Sequence, residues 1–401
     1  MTAVFSAPRS VVAVLFAALA ANAAGHAFVL IVLPPLARRL GFSDLQAGML
    51  LSLSALVMTL AAPVWGGVCD RRGRRRVILA GLGAGAVFLA ACAAVVAARL
   101  AGGLSAAAAF GLLFAARILQ AALGAGLMPA AQAVFADITR DDRRAGGMGT
   151  MGAAFGIGSI LGGAAAWRLA SGMPEAGFLL LSACLAAAVG GIALTLPETR
   201  AAPPPEALAA GTLPFAAIAR FLAVTLLGLA VYSLLQQVTV LRLQDGFGLP
   251  PDRAMRAGGG AMMLAMTAMA AMQLGVVRRL RWPPGRLSRT GAAAALACLA
   301  AAAAAPGVAA LVAATAGLGA SLGLLLPGNL AALSLRAGPA AQARAAGINA
   351  VAQGMGMALG PIGGAALHQI APTAPYAAAA AAMTVVCALT WVFRREGGFG
   401  V

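Results

Sequence analysis

Arg117 is the residue whose placement most demands chemistry. Only uncharged, mostly apolar residues run from Ala101 to Ala116 before it and from Ile118 to Ala136 after it. A guanidinium in hydrocarbon costs at least about 2.5–3.5 kcal/mol unless it faces protein or water, so such a residue is a ligand or proton-path candidate by default. Gln120 follows three residues later, on the same helical face. Three further polar pairs interrupt apolar runs at i,i+4 spacing: Asn22 and His26, Tyr232 and Gln236 with Gln237 beside them, and Asn349 and Gln353. Such groups rarely face lipid. They could hydrogen-bond a solute or one another's helices, and both uses stay open. His26 is the one histidine deep in an apolar run, since His368 lies near a segment end, and an imidazole ordinarily titrates near neutrality.

The acids bound that chemistry. All eleven (Asp44, Asp70, Asp137, Asp141, Asp142, Glu175, Glu198, Glu206, Asp245, Asp252 and Glu396) fall in loops, tails or segment ends. Proton coupling would therefore use His26, an interfacial acid such as Asp70 or Asp137, or the solute itself. No phosphate-binding loop, no Ser-His-acid set and no metal-ligand cluster is present, so the expectation is no enzyme, no cofactor and no metal. Met262, Met263, Met266, Met269 and Met272 give one segment flexible thioethers, which line an adaptable apolar pocket or fill a core.

The elements that position these groups are membrane helices. The 401 residues are 62% hydrophobic and 10% charged, against roughly 25% charged in soluble domains. Apolar runs of about 20 residues recur, the length needed to cross a bilayer. Twelve helices are expected, near 11–36, 45–69, 75–98, 104–136, 147–169, 177–196, 214–241, 256–277, 288–305, 308–335, 344–368 and 375–393. The apolar run after Arg9 continues to Leu33, which predicts a retained first helix rather than a cleaved leader.

The net charge of +17 comes from arginine alone. Arginines crowd into alternate loops, at 71–76, 140–144, 278–289 and 394–395. The intervening loops carry fewer: Arg38 and Arg39, Arg99, Arg168, and Arg242, Arg253 and Arg256. The positive-inside rule explains this pattern and places both termini in the cytoplasm. The basic face would meet anionic lipid, and nucleic acid is not expected. The five cysteines form no CxxC pair, so they are read as small buried packing residues.

Two halves are expected: 1–199 as an N-terminal six-helix bundle, 200–213 as a cytoplasmic linker containing Pro203-Pro204-Pro205, and 214–401 as a second bundle. Shifting the sequence by 198 places Pro129 on Pro327, Gly149 on Gly347, Gly156 on Gly354, Gly158 on Gly356 and Leu161-Gly162 on Leu359-Gly360.

Between the second and third segments the sequence reads Gly66-Gly67-Val68-Cys69-Asp70-Arg71-Arg72-Gly73-Arg74-Arg75. This resembles the signature loop of the major facilitator superfamily of secondary transporters. The fourth segment, Arg117-Ile118-Leu119-Gln120, is similar to that family's R-x-x-Q-G pattern, with Ala121 in the glycine position. The fifth segment, with Gly156, Gly158 and Gly162, resembles the motif of drug–proton antiporters. A fuller copy stands in the eleventh segment, at Gly354, Gly356, Gly360 and Pro361. Leu196-Pro197-Glu198-Thr199 also resembles the family's sixth-helix end.

The resemblance implies an all-α membrane protein, two pseudo-symmetric six-helix halves and alternating access around a midplane site. It implies a latch in which Asp70 pairs with neighbouring arginine (Arg71 or Arg74) and with the start of the eleventh helix, while an arginine reaches Asp137. Gly66 and Gly73 would permit the close approach and the turn. It implies solute or coupling roles for Asn22, His26, Arg117, Gln120, Tyr232, Gln236, Asn349 and Gln353, and helix packing for the glycines. The expected function is efflux of a small, partly apolar organic solute by a monomer in the inner membrane, with protons as the counter-ion. Uptake or facilitated diffusion of a metabolite or organic anion is the alternative. A non-transporting membrane sensor or scaffold is the alternative of a different class.

Overall fold

The structure is a computed structural model that describes residues 9–138, 144–169, 173–198, 215–277, 279, 282–337 and 342–391. The described residues form helices α1 (Arg9–Arg39), α2 (Asp44–Arg72), α3 (Arg74–Leu100), α4 (Ala106–Gly124), α5 (Leu127–Ile138), α6 (Arg144–Leu169), α7 (Pro174–Thr195), α8 (Phe215–Asp245), α9 (Pro251–Ala271), α10 (Pro284–Ala303), α11 (Val308–Ala337), α12 (Gln342–Ile370) and α13 (Ala374–Trp391). A π-helical turn, Met272–Val277, extends α9. Eleven stretches are long and apolar enough to cross a membrane. With α4 and α5 counted as one span and α10 added, the twelve expected helices are accounted for. Arg286 and Arg289 lie in the first two turns of α10. The chain is an integral, multi-pass membrane protein.

Local chemistry sets several ends. Ser43 opens α2 with a capping box: its Oγ accepts from the Gln46 N–H, and the Gln46 side chain accepts from the Ser43 N–H. Ser105 caps α4 through the Ala108 N–H. Each satisfies donors that a helix N-terminus leaves unpaired. The fourth span breaks at Ala125 and Gly126, just before Pro129, whose missing N–H and bulky ring disrupt the preceding turn. Trp65 Nε1 donates to the Ala122 carbonyl beside the break (2.5 Å).

The chain divides into two compact units: Met1–Gln46 with Leu53–Pro204, and Ala47–Ser52 with Pro205–Val401. The expected linker, 200–213, lies outside the described residues. In the first unit α1 packs against α6 and α7, and α3 against α4 and α7. In the second, α8 packs against α12, and α11 against α9 and α10. Inside the second unit the Ile362 N–H donates to Ser52 Oγ (2.9 Å), in the turn loosened by Pro361.

Glycines explain how closely two of these pairs approach. A Cβ on Gly158 would lie 2.2 Å from the Ala20 carbonyl oxygen, and one on Gly162 would lie 2.4 Å from that of Ala24. Gly356 and Gly360 meet Leu226 O and Ala230 O at 2.4 and 2.6 Å in the same way. Gly156 departs from the packing expectation: a Cβ there meets nothing within 4 Å. Its two-residue offset from Gly158 turns it about 200° around the helix, away from α1.

Two other expectations need correction. Arg242 is not in a loop: α8 continues through it to Asp245, and Arg242 is only 3% exposed. Its guanidinium donates to the carbonyls of Ala302 (2.5 Å) and Ala303 (3.0 Å) at the end of α10, and stacks over Tyr376 at 4.5 Å. The last carbonyls of a helix lack a full set of intrahelical donors, and Arg242 supplies them here, although Ala302 O also accepts from the Ala305 N–H (3.2 Å). Arg99 likewise lies in the last turn of α3 and donates to Leu40 O (3.0 Å). Among the cysteines, Cys69 and Cys92 are buried but Cys184 is exposed, so packing does not account for all five.

Candidate solute and coupling sites

In the first unit the site is built around Arg117, on the inner face of α4 and 6% exposed. Its Nε donates to Ser54 Oγ on α2 (3.1 Å), and one terminal nitrogen donates to Gln120 Oε1 (2.7 Å). The guanidinium lies over the Phe88 ring of α3, 5.2 Å from its centroid. Gly124 leaves room beside the Gln120 amide nitrogen, 3.4 Å from where a Cβ would sit. Every one of these partners is neutral, and no carboxylate pairs with Arg117 among the described residues. Asn22 and His26 are both half-buried, and Asn22 Oδ1 faces Gly85 of α3. The structure therefore gathers Arg117 and Gln120 between α2, α3 and α4, with Ser54 as a member that the sequence did not flag.

In the second unit Tyr232 and Gln236 sit on one face of α8, as their spacing requires. Gln236 Nε2 donates to the Tyr232 hydroxyl (3.1 Å), which donates to Met266 Sδ on α9 (3.1 Å). Met262 and Met266 are buried, so this part of the methionine-rich helix lines the same region. Gln237 is 1% exposed, and neither of its amide atoms has a protein partner among the described residues. The same holds for Gln236 Oε1.

Asn349 does not join that set. It is 2% exposed and accepts from Thr225 Oγ1 (2.8 Å), two turns before Tyr232 on α8. Thr225 Oγ1 also accepts from Asn329 Nδ2 (2.9 Å), which donates in turn to Phe221 O (2.9 Å). This network ties α8, α11 and α12 inside a core that includes Ile218, Phe221 and Leu333. Gln353 is exposed and stands apart from both groups.

The side chains of Gly66, Asp70 and Asp137 lie outside the described residues. Arg71 is exposed. Gly73 adopts φ +91, a region favouring glycine, and closes the turn with its N–H on Cys69 O (3.0 Å). Arg74 donates to Ala133 O on α5 (2.9 Å), one turn before Asp137. The loop's anchor missed by the sequence reading is Glu198. Its Oε1 accepts from the Arg75 N–H (3.2 Å), its Oε2 lies 3.6 Å from Arg76 Nε, and Arg75 reaches back to the Ala193 carbonyl. The carboxylate from the end of α7 thus faces the positive N-terminus of α3. The available signal was an acid directly after the proline that ends the sixth apolar run. A second missed pair is His368 on α12 and Asp245 on α8, Nε2 to Oδ2 at 2.7 Å.

Known proteins share this architecture. A solved bacterial homolog of the human lysosomal transporter Spinster, in an inward-facing and occupied conformation, matches with a TM-score of 0.75 at 16% identity, over 96% of each chain. That likeness shows the fold. Over 178 residues the chain is 36% identical to the class C tetracycline resistance protein of Escherichia coli, covering 44% of this chain and 40% of that protein. It is 33% identical to the class G tetracycline resistance protein of Vibrio anguillarum over 176 residues, 41% and 42% of the two chains. The chain thus spans about two fifths of the length of these curated relatives. The family model described as Major Facilitator Superfamily matches residues 15–318. With its membrane helices, its glycine-paired repeats and a buried arginine in the fourth span, this chain belongs to the Major Facilitator Superfamily and is a transporter by fold.

Proposed function

We propose that the protein exports a small, partly apolar organic solute across the inner membrane by alternating access, in exchange for protons. The observation that carries this reading is Arg117, a buried guanidinium held by Ser54, Gln120 and Phe88 with no carboxylate to neutralise it among the described residues. A buried charge with only neutral partners is costly unless function needs it there. It is a ready partner for an anionic or strongly polar group on a solute. His26, an imidazole half-buried on α1, is the titratable side chain through which proton binding would be coupled to solute binding.

Efflux is favoured over uptake because two of the relatives that the chain matches are tetracycline resistance proteins. Taken by itself, the second unit offers the phenol of Tyr232, the thioethers of Met262 and Met266, and Gln236 Oε1 and the Gln237 amide atoms, which have no protein partner among the described residues. That is a mostly apolar lining with a few hydrogen-bonding groups, the usual composition of a small-molecule site. The arginine distribution favours a cytoplasmic location for both termini. Gradient-independent transport of an organic anion is the second reading, favoured by the position of every described acid at a helix end.

Reconstitution into proteoliposomes tests the proposal, using a panel of lipophilic cations and organic anions with and without an imposed pH gradient. Uphill movement that requires the gradient is expected. Downhill movement at the same rate with and without it would replace antiport with facilitated diffusion.

A further inference from the structure

Outside the sites above, the second unit has a cleft of about 420 Å³ between the start of α10 and the end of α13, lined by Arg286, Arg289, Thr290, Ala293 and Trp391. The first four stand at i, i+3, i+4 and i+7, one stripe along α10. In a buried helix such a stripe is apolar; here its upper half carries two guanidiniums. The Arg286 guanidinium carbon lies over the Trp282 ring, 4.2 Å from its centroid. Neither Arg286 nor Arg289 has an acidic partner among the described residues. Thr290 turns its hydroxyl to the Arg286 carbonyl (2.8 Å), which leaves the arginines as the cleft's donors.

The cleft is amphipathic along its length. From Arg286 to Ala293 it runs about 10 Å down the helix, from paired positive charge to a wall of Ala293 and the exposed Trp391. Tryptophan concentrates where a membrane protein meets the headgroup layer, and basic pockets between membrane helices suit phosphate headgroups. A free phosphate would use the arginines and nothing else. A phospholipid uses both ends. We propose that this cleft seats one anionic phospholipid, its phosphate on Arg286 and Arg289 and an acyl chain along Ala293 and Trp391.

The test is native mass spectrometry of the full chain in detergent with added phosphatidylglycerol or phosphatidylcholine. The wild type should retain phosphatidylglycerol at least about tenfold better. Arg286→Gln with Arg289→Gln should abolish that preference. Ala293→Trp, which fills the cleft and keeps both charges, should abolish it as well. Arg336→Gln with Arg344→Gln, an equal loss of charge elsewhere in the unit, should leave it intact. Four results would overturn the assignment: undiminished preference in the Arg286/Arg289 variant, undiminished preference in Ala293→Trp, equal loss in the Arg336/Arg344 variant, or full displacement of the lipid by millimolar inorganic phosphate.

Discussion

Gly158 and Gly356, 198 residues apart, do the same work in the two units. Each brings the backbone of its helix against a carbonyl of the helix it crosses, Ala20 O in one unit and Leu226 O in the other, at distances no Cβ could occupy. Small residues of this kind let membrane helices gain contact where no hydrophobic driving force separates protein from lipid. Gly158→Leu or Gly360→Leu should therefore destabilise its unit by about 1–3 kcal/mol or more, as overpacking does. Gly156→Ala, which meets open space, should stay within about 0.5 kcal/mol. Thermal unfolding in mild detergent checks both. An equal effect at Gly156 would remove the distinction between the two helix faces.

Glu198 should hold the turn between α2 and α3. Its carboxylate accepts from the first turn of α3 and occupies the space beside Gly73. Glu198→Ala should cost about 1 kcal/mol, the size of a lost helix cap, and Glu198→Gln less, since an acceptor remains. Gly73→Ala should cost more than either, because it strains φ and collides with the carboxylate, 2.0 Å from the new Cβ. Unfolding temperatures that rank these variants in another order would contradict the capping role.

Arg242 should matter to stability rather than to solute choice. Arg242→Met would remove the guanidinium donors to the Ala302 and Ala303 carbonyls. A loss of about 1.5–3 kcal/mol is expected from charged hydrogen bonds in a buried site. Solute preference, read as relative rates across a panel, should be unchanged. A shift in preference would move Arg242 into the solute site.

Asn349 provides a similar contrast with Gln237. Asn349→Ala breaks a buried network through Thr225 and Asn329, and should lower stability by about 1–2 kcal/mol at constant solute preference. Gln237→Leu removes amide atoms that have no protein partner. It should leave stability equal or higher while transport falls severalfold. Parallel unfolding and transport measurements on the two variants separate these roles.

What the sequence could show follows from what is local in it. Arg117 stood out because an isolated charge in an apolar run is visible without any partner. Gly158, Gly162, Gly356 and Gly360 stood out because they recur at a shift of 198 residues and resemble a glycine motif of known transporters. Arg242 was misplaced because hydropathy falls at the end of α8, whereas the helix continues to reach carbonyls some 60 residues away. Glu198 meets its partner across 123 residues, and Thr225 meets Asn329 and Asn349 across 104 and 124. Such pairings are set by packing between helices, which no single segment encodes.

The most direct test is Arg117→Gln, measured for both transport and stability in the same preparation. Because Arg117 is buried with no carboxylate partner among the described residues, replacing it should leave the unfolding temperature equal or higher. Gradient-driven transport should fall at least about tenfold. Wild-type transport in that variant would contradict the assignment of Arg117 to solute or proton handling. A collapse of stability accompanying the loss of transport would assign it to structure instead.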